Sequence, residues 1–172
     1  IVEPTVKGLQ KENLDYTGFI FFGLMIDENE PMVIEYNCRM GDPETEVVIP
    51  RLKNDLAELL KATADQRLNE IVVDTDERTA VAVVAVSGGY PGDYEKGKII
   101  EGLDMPGSDD SIVFHSGTVQ QESAVVTNGG RVLVVTSFGN TIKEASSKSR
   151  GLLKKIYFEG INFRQDIGYE FV

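Results

Sequence analysis

Val33-Ile34-Glu35-Tyr36-Asn37-Cys38-Arg39-Met40-Gly41-Asp42-Pro43-Glu44-Thr45 joins the end of a strand to the start of a helix. Alternation along the strand puts Val33, Glu35 and Asn37 on one face, so the oxygens of Glu35 and Asn37 can converge on one point. A carboxylate beside an amide oxygen suits a hard cation such as Mg²⁺, which keeps several waters and takes its other oxygens from phosphates. The same pattern also describes a polar strand face in water. In the turn that follows, Arg39 offers a planar fork for phosphate or carboxylate. Asp42 suits an N-cap, Pro43 the first helical position, and Glu44 the positive end of the helix dipole. A helix N-terminus can receive an anion, although capping alone accounts for Asp42-Pro43-Glu44.

Upstream, Tyr16 to Ile26 is a long aromatic and aliphatic run, and Asp27 to Pro31 is a polar turn. With Met32 to Asn37 they read as a hairpin. Phe19, Phe21, Gly23 and Met25 share one face, and Ile20, Phe22, Leu24 and Ile26 the other. Both faces are apolar, which predicts a strand covered on both sides. Downstream, Pro50 ends or kinks the short helix. Asn54 is a candidate cap for a second helix, in which Leu56, Leu59, Leu60 and Ala64 recur near helical spacing.

The charge pattern changes along the chain. Residues 1–75 carry 15 acids and 7 bases, and residues 76–172 carry 13 and 10. Val72 to Glu77 marks a boundary. Beyond it the chain is mostly β, with strands expected at Thr79–Val86, Lys98–Gly102, Ile112–His115, Ala124–Thr127 and Arg131–Ser137. Ser87 to Asp93 is a Gly- and Pro-rich loop, and Asn128-Gly129 a hairpin turn. Thr141 with Glu144 is a capping box that starts a helix running to about Tyr157.

The chain has 172 residues and a net charge of -11. So acidic a balance argues against nucleic-acid binding, which needs a basic face. No apolar run approaches the roughly 18 residues that span a bilayer. One cysteine, Cys38, forms no intrachain disulfide, which fits a reducing compartment. His115 has no second His or nearby acid with which to build a zinc site or a triad, so it reads as a structural or edge-strand residue. Cys38 reads as a packed thiol. The start Ile1-Val2-Glu3 lacks an initiator Met and runs into a strand, so a fragment of something longer is expected.

The ordered motifs resemble the phosphoribosylamine–glycine ligase (glycinamide ribonucleotide synthetase) family of the ATP-grasp superfamily. The likeness runs through Tyr16-Thr17-Gly18, Gly23 to Asp27 and Val33 to Thr45. It continues in Gly88 to Tyr94, Phe114 to Thr118, Thr127 to Leu133 and Arg164 to Gly168. The resemblance implies an α+β fold: residues 1–72 as the C-terminal part of an ATP-grasp domain, and 76–172 as the family's C-terminal domain. It implies a cytoplasmic ligase of purine biosynthesis that joins glycine to 5-phosphoribosylamine with ATP through a glycyl phosphate. It further implies Glu35 and Asn37 as ligands of Mg²⁺ or Mn²⁺ holding the ATP phosphates, and Arg39 as the residue stabilising the transferred phosphoryl group. Gly41, Asp42 and Glu44 would be substrate-loop residues, and Met25 would lie against the nucleotide. Many ATP-grasp enzymes place a further acidic ligand where Gly23 falls, so the chain offers at most two obvious side-chain ligands. The alternatives are another ATP-grasp carboxylate–amine ligase, or a non-catalytic assembly module. On the ligase reading the fragment by itself is expected to be inactive, and on the assembly-module reading it is expected to self-associate through uncovered apolar strands.

Overall fold

The computed structural model describes residues 1–104 and 109–171. Two compact units form, Ile1–Thr45 with Leu52–Thr75, and Glu46–Arg51 with Asp76–Val172.

The first unit opens with helix α1, Val2–Lys11, and not with the strand expected soon after Ile1-Val2-Glu3. Pro4 falls in the first turn, where its missing N–H costs nothing. Glu3 and Lys11 complement the helix dipole at its two ends. Strands β1 (Phe21–Asp27) and β2 (Glu30–Asn37) then pair antiparallel. The turn between them is Glu28-Asn29, with φ of 46° and 70°. Two residues with positive φ give a turn whose twist matches the strands. The strand begins later than the apolar run: the Tyr16 hydroxyl donates to the Phe19 carbonyl at 2.7 Å and holds the preceding residues as a loop.

The register slips between Gly23 and Leu24, with Gly23 opposite Glu35 but Leu24 opposite Val33. Ile34 is therefore extra on β2, and a one-residue bulge reverses the alternation beyond it. Met32, opposite Met25, continues the face of Glu35 and Asn37. Val33, expected there, pairs on the other face with Leu24. The expectation that β1 is covered on both sides also fails. Leu24, Met25 and Ile26 are 44%, 57% and 69% exposed, because among the described residues this sheet has only two strands.

The helix expected at Asp42 starts at Thr45 and is four residues long (α2, Thr45–Val48). The Gly41 carbonyl accepts both the Thr45 amide, at 3.0 Å, and its hydroxyl, at 2.6 Å, so Asp42-Pro43-Glu44 form a closed turn rather than a capped first turn. A 3₁₀ turn, Ile49–Arg51, carries Pro50 and ends the helix as expected. Helix α3 (Leu56–Ala64) is capped by Asp55, which accepts from the Ala57 amide at 2.8 Å. Asn54, the expected cap, is used elsewhere: its amide donates to the Val72 carbonyl at 3.1 Å and accepts from the Asp74 amide at 2.6 Å.

The second unit is built on an antiparallel sheet of order β3-β7-β4, formed by Thr79–Val86, Arg131–Gly139 and Ser111–His115. Helix α4 (Ile142–Leu153) packs on β3 and β7. Val83, Ala85, Leu133, Val135, Leu153 and Phe158 lie at the centre of the core. β7 is buried along nearly its whole length, as befits a central strand with a continuous apolar run. The buried Thr136 hydroxyl donates to the Glu46 carbonyl at 2.8 Å, and the Arg51 guanidinium to the Asp76 carbonyl at 2.8 Å, which ties residues 46–51 into this unit.

Three expectations for this unit need correction. Lys98–Gly102 makes only isolated bridges, Ile99 with Val126 and Glu101 with Tyr157, because its backbone divides between two partners. Helix α4 stops at Leu153 rather than near Tyr157. Ile156 and Phe158 turn into the core while Tyr157 exchanges backbone hydrogen bonds with Glu101. Asn128-Gly129 is not a hairpin turn, since β6 (Ala124–Thr127) pairs with β5 (Thr118–Gln121), a strand the polar sequence concealed.

Candidate functional site

The first unit brings several of the singled-out residues together. Glu35 lies directly opposite Gly23, and Asn37 opposite Phe21. The Asn37 amide donates to Glu35 Oε1 at 2.9 Å, so the two side chains meet at one point on the strand face. Glu35 is exposed and Asn37 half-buried. Turning the Asn37 amide over would present Oδ1 in place of Nδ2, giving two hard oxygens side by side. This donor set fits a divalent ion bound mainly by phosphate and water. Among the described residues no group of three or more His, Cys, Asp or Glu converges, so any such ion would take its remaining ligands elsewhere.

The turn after β2 packs back onto the same strand pair. Gly41 is buried, and a Cβ there would strike the Glu44 carboxylate and come within 3.1 Å of the Phe21 ring. Glu44 is thus folded over Gly41, beside the strand position that carries Asn37. The Tyr16 hydroxyl also approaches the Cys38 carbonyl at 3.3 Å, which fixes the exit of β2. Neither Phe21 nor Tyr16 was legible as a support of this turn, because strand pairing and loop closure bring them there. Arg39 is exposed and donates to the Met40 carbonyl at 2.9 Å. Asp42 is exposed in the turn. Met25 is exposed opposite Met32, two positions beyond Gly23. Cys38, expected as a packed thiol, is exposed, because the chain leaves the strand pair there.

In the second unit, His115 ends the edge strand β4, exposed, with Nδ1 3.0 Å from the Thr118 hydroxyl. That is the edge-strand role expected of it. An ion network lies at the other end of the sheet. Arg78 bonds Asp76 at 2.7 Å and Asp110 at 2.6 Å, and Lys148 bonds Asp110 and Glu144, each at 3.0 Å. The Arg78 guanidinium also stacks 4.8 Å above the Phe138 ring. Lys148, and after it Arg78, hold the Asp110 carboxyl below its usual range. Glu144 is lowered by Lys148 and by the Asn140 amide.

The family model of the phosphoribosylglycinamide synthetase ATP-grasp (A) domain matches residues 1–45. That of the phosphoribosylglycinamide synthetase C domain matches residues 80–170. Phosphoribosylamine–glycine ligase of Vibrio cholerae is 48% identical over 170 residues, covering 98% of this chain and 40% of that protein. The Escherichia coli K12 enzyme is 46% identical over 171 residues, with the same coverage of 98% and 40%. The crystal structure of phosphoribosylamine–glycine ligase from Thermotoga maritima superposes with a TM-score of 0.77 at 35% identity, over 94% of this chain and 40% of that one. The biotin carboxylase domain of a thermophilic 2-oxoglutarate carboxylase superposes with a TM-score of 0.63 at 16% identity, over 92% of this chain and 36% of that one. At that identity the likeness concerns the fold alone, an α+β fold of the ATP-grasp class. The chain belongs to the phosphoribosylglycinamide synthetase family. It spans about 40% of the length of the curated relatives it matches.

Proposed function

We propose that the full-length protein joins glycine to 5-phosphoribosylamine at the expense of ATP, as a cytoplasmic ligase of purine biosynthesis. The observation that carries this reading is the match of 98% of the chain, at 48% identity, to a relative named phosphoribosylamine–glycine ligase. The meeting of Glu35 with Asn37 supports it from the side of chemistry. Residues 1–72 would be the C-terminal part of the ATP-grasp domain and residues 76–172 the family's C-terminal domain.

In this reading Glu35 and Asn37 hold Mg²⁺ or Mn²⁺ against the phosphates of ATP. The ion supplies neutralisation of phosphate charge. A glycine carboxylate oxygen attacks the γ-phosphorus, the bond to the bridging oxygen breaks, and ADP leaves. The amine of phosphoribosylamine then attacks the acyl carbon of the glycyl phosphate and releases phosphate, giving glycinamide ribonucleotide. Such transfer depends on positioning and charge stabilisation more than on a dedicated base. Arg39 stabilises the transferred phosphoryl group or the acyl phosphate. Gly41, Asp42 and Glu44 form the turn that places substrate, and Met25 lies against the nucleotide. The partners are small molecules, with neither nucleic acid nor membrane involved. For the part of the protein spanned by these 172 residues, the net charge of -11 supports the first. Among the described residues no helix is long and apolar enough to cross a membrane.

The test is ADP release by the full-length protein with freshly generated phosphoribosylamine, comparing glycine with other amino acids as phosphoryl acceptors. Release that depends on glycine is expected. Release that ignores glycine but responds to another carboxylate would discard the proposed substrates.

A further inference from the structure

Gly23 occupies the middle of β1, where glycine lacks a side chain to pack and costs stability relative to alanine. Its conformation does not account for it, since it is not among the glycines with positive φ. Space does. A Cβ at Gly23 would stand 2.8 Å from Glu35 Cγ and 3.7 Å from Glu35 Cδ. The space a Cβ at position 23 would take is occupied by the stem of Glu35 from the opposite strand. That path brings the Glu35 carboxylate to the Asn37 amide, 2.9 Å away. A methyl group at position 23 would force the stem to turn aside. Because Glu35 is an exposed, flexible side chain, it can turn aside with little disturbance to the strands, but its carboxylate then leaves Asn37.

We infer that Gly23 is a positioning residue: its missing side chain gives the Glu35 stem its path across β1 and so sets the Glu35–Asn37 pair. The inference rests on the reading of that pair as ligands of a divalent cation.

The experiment is Mn²⁺ titration of the full-length protein, followed by electron paramagnetic resonance in the presence of a non-hydrolysable ATP analogue. Wild type, Gly23→Ala and Glu35→Gln are compared, and the thermal midpoint of each metal-free protein is recorded. Gly23→Ala is expected to raise the Mn²⁺ dissociation constant by about tenfold, the low end of what misplacing a supporting residue costs a metal site. Its metal-free midpoint is expected to stay unchanged. An unchanged dissociation constant in Gly23→Ala, alongside weakened binding in Glu35→Gln, would overturn the positioning role and leave the ligand reading intact. No change in either variant would overturn the ligand reading itself. If Gly23→Ala lowers the metal-free midpoint or fails to fold, the Gly23→Ala/Glu35→Ala double variant decides. With Cγ removed the collision disappears, so the double variant is expected to match Glu35→Ala alone. A loss that persists would mean that Gly23 serves packing only.

Discussion

Glu35 reaches Asn37 across two strand positions, and the proposed chemistry depends on that approach. Glu35→Gln keeps the shape and removes the charge. In the full-length protein it is expected to lower turnover at fixed metal by about 10–100-fold, the range typical for a disturbed metal site, while the thermal midpoint stays near wild type. His115 ends an edge strand in the second unit, bonded to Thr118, and His115→Ala is expected to leave turnover close to wild type. Steady-state ADP release from both variants checks this. Loss of activity in His115→Ala with retention in Glu35→Gln would reverse the assignment. The pair was legible because a strand repeats every two residues, and Glu35 and Asn37 lie on the same side of the register slip. Val33 was misplaced because the extra residue at Ile34 leaves no mark in a run of strand-forming side chains. The exposure of Cys38 was hidden for a similar reason: burial depends on what covers the end of β2.

At the scale of elements, half of the capping box of α4 was legible: the N-cap bond forms as expected, but Glu144 reaches the amide of Asn140 rather than that of Thr141. The Thr141 hydroxyl accepts from the Glu144 amide at 3.1 Å, and Glu144 Oε2 accepts from the Asn140 amide at 2.9 Å. Thr141→Ala is expected to cost about 1 kcal/mol, a fall in thermal midpoint of roughly 4–8 °C for a domain of this size, measurable by calorimetry. The ion network beside that helix predicts a pH dependence. The Asp110 and Glu144 carboxyls are held below their usual values in the folded state. Their stabilisation is therefore complete above the unfolded value of about 4. It is lost as pH falls through the lower folded values. The midpoint is expected to drop below about pH 4, and Asp110→Asn to have a shallower drop and a lower midpoint at neutral pH. The reverse holds for Lys148, which its two carboxylates raise. Its contribution persists up to its unfolded value of about 10.4 and is lost only as pH rises through the higher folded one. Partial exposure of these groups keeps each effect modest. The elements that escaped the sequence did so for physical reasons. β5 is too polar to announce itself, and the extended backbone around Lys98–Gly102 is held by tertiary pairing rather than by its own pattern.

At the scale of the molecule, the β1–β2 hairpin exposes Leu24, Met25, Ile26, Met32, Ile34 and Tyr36. Edges and apolar faces of this kind pair readily with other strands. The 172-residue chain by itself is expected to self-associate and to lack ATPase activity. Light scattering at high micromolar concentration would contradict the first by showing a clean monomer, and saturable ATP hydrolysis would contradict the second. The family was readable from ordered motifs spread along the whole chain, whereas the course of the hairpin faces required the register. The most direct test of the account is formation of glycinamide ribonucleotide and ADP by the full-length protein, with each substrate omitted in turn. The account predicts that product forms only when ATP, glycine and phosphoribosylamine are all present. Full ADP release in the absence of both glycine and phosphoribosylamine, with no ligated product when they are added, would contradict it.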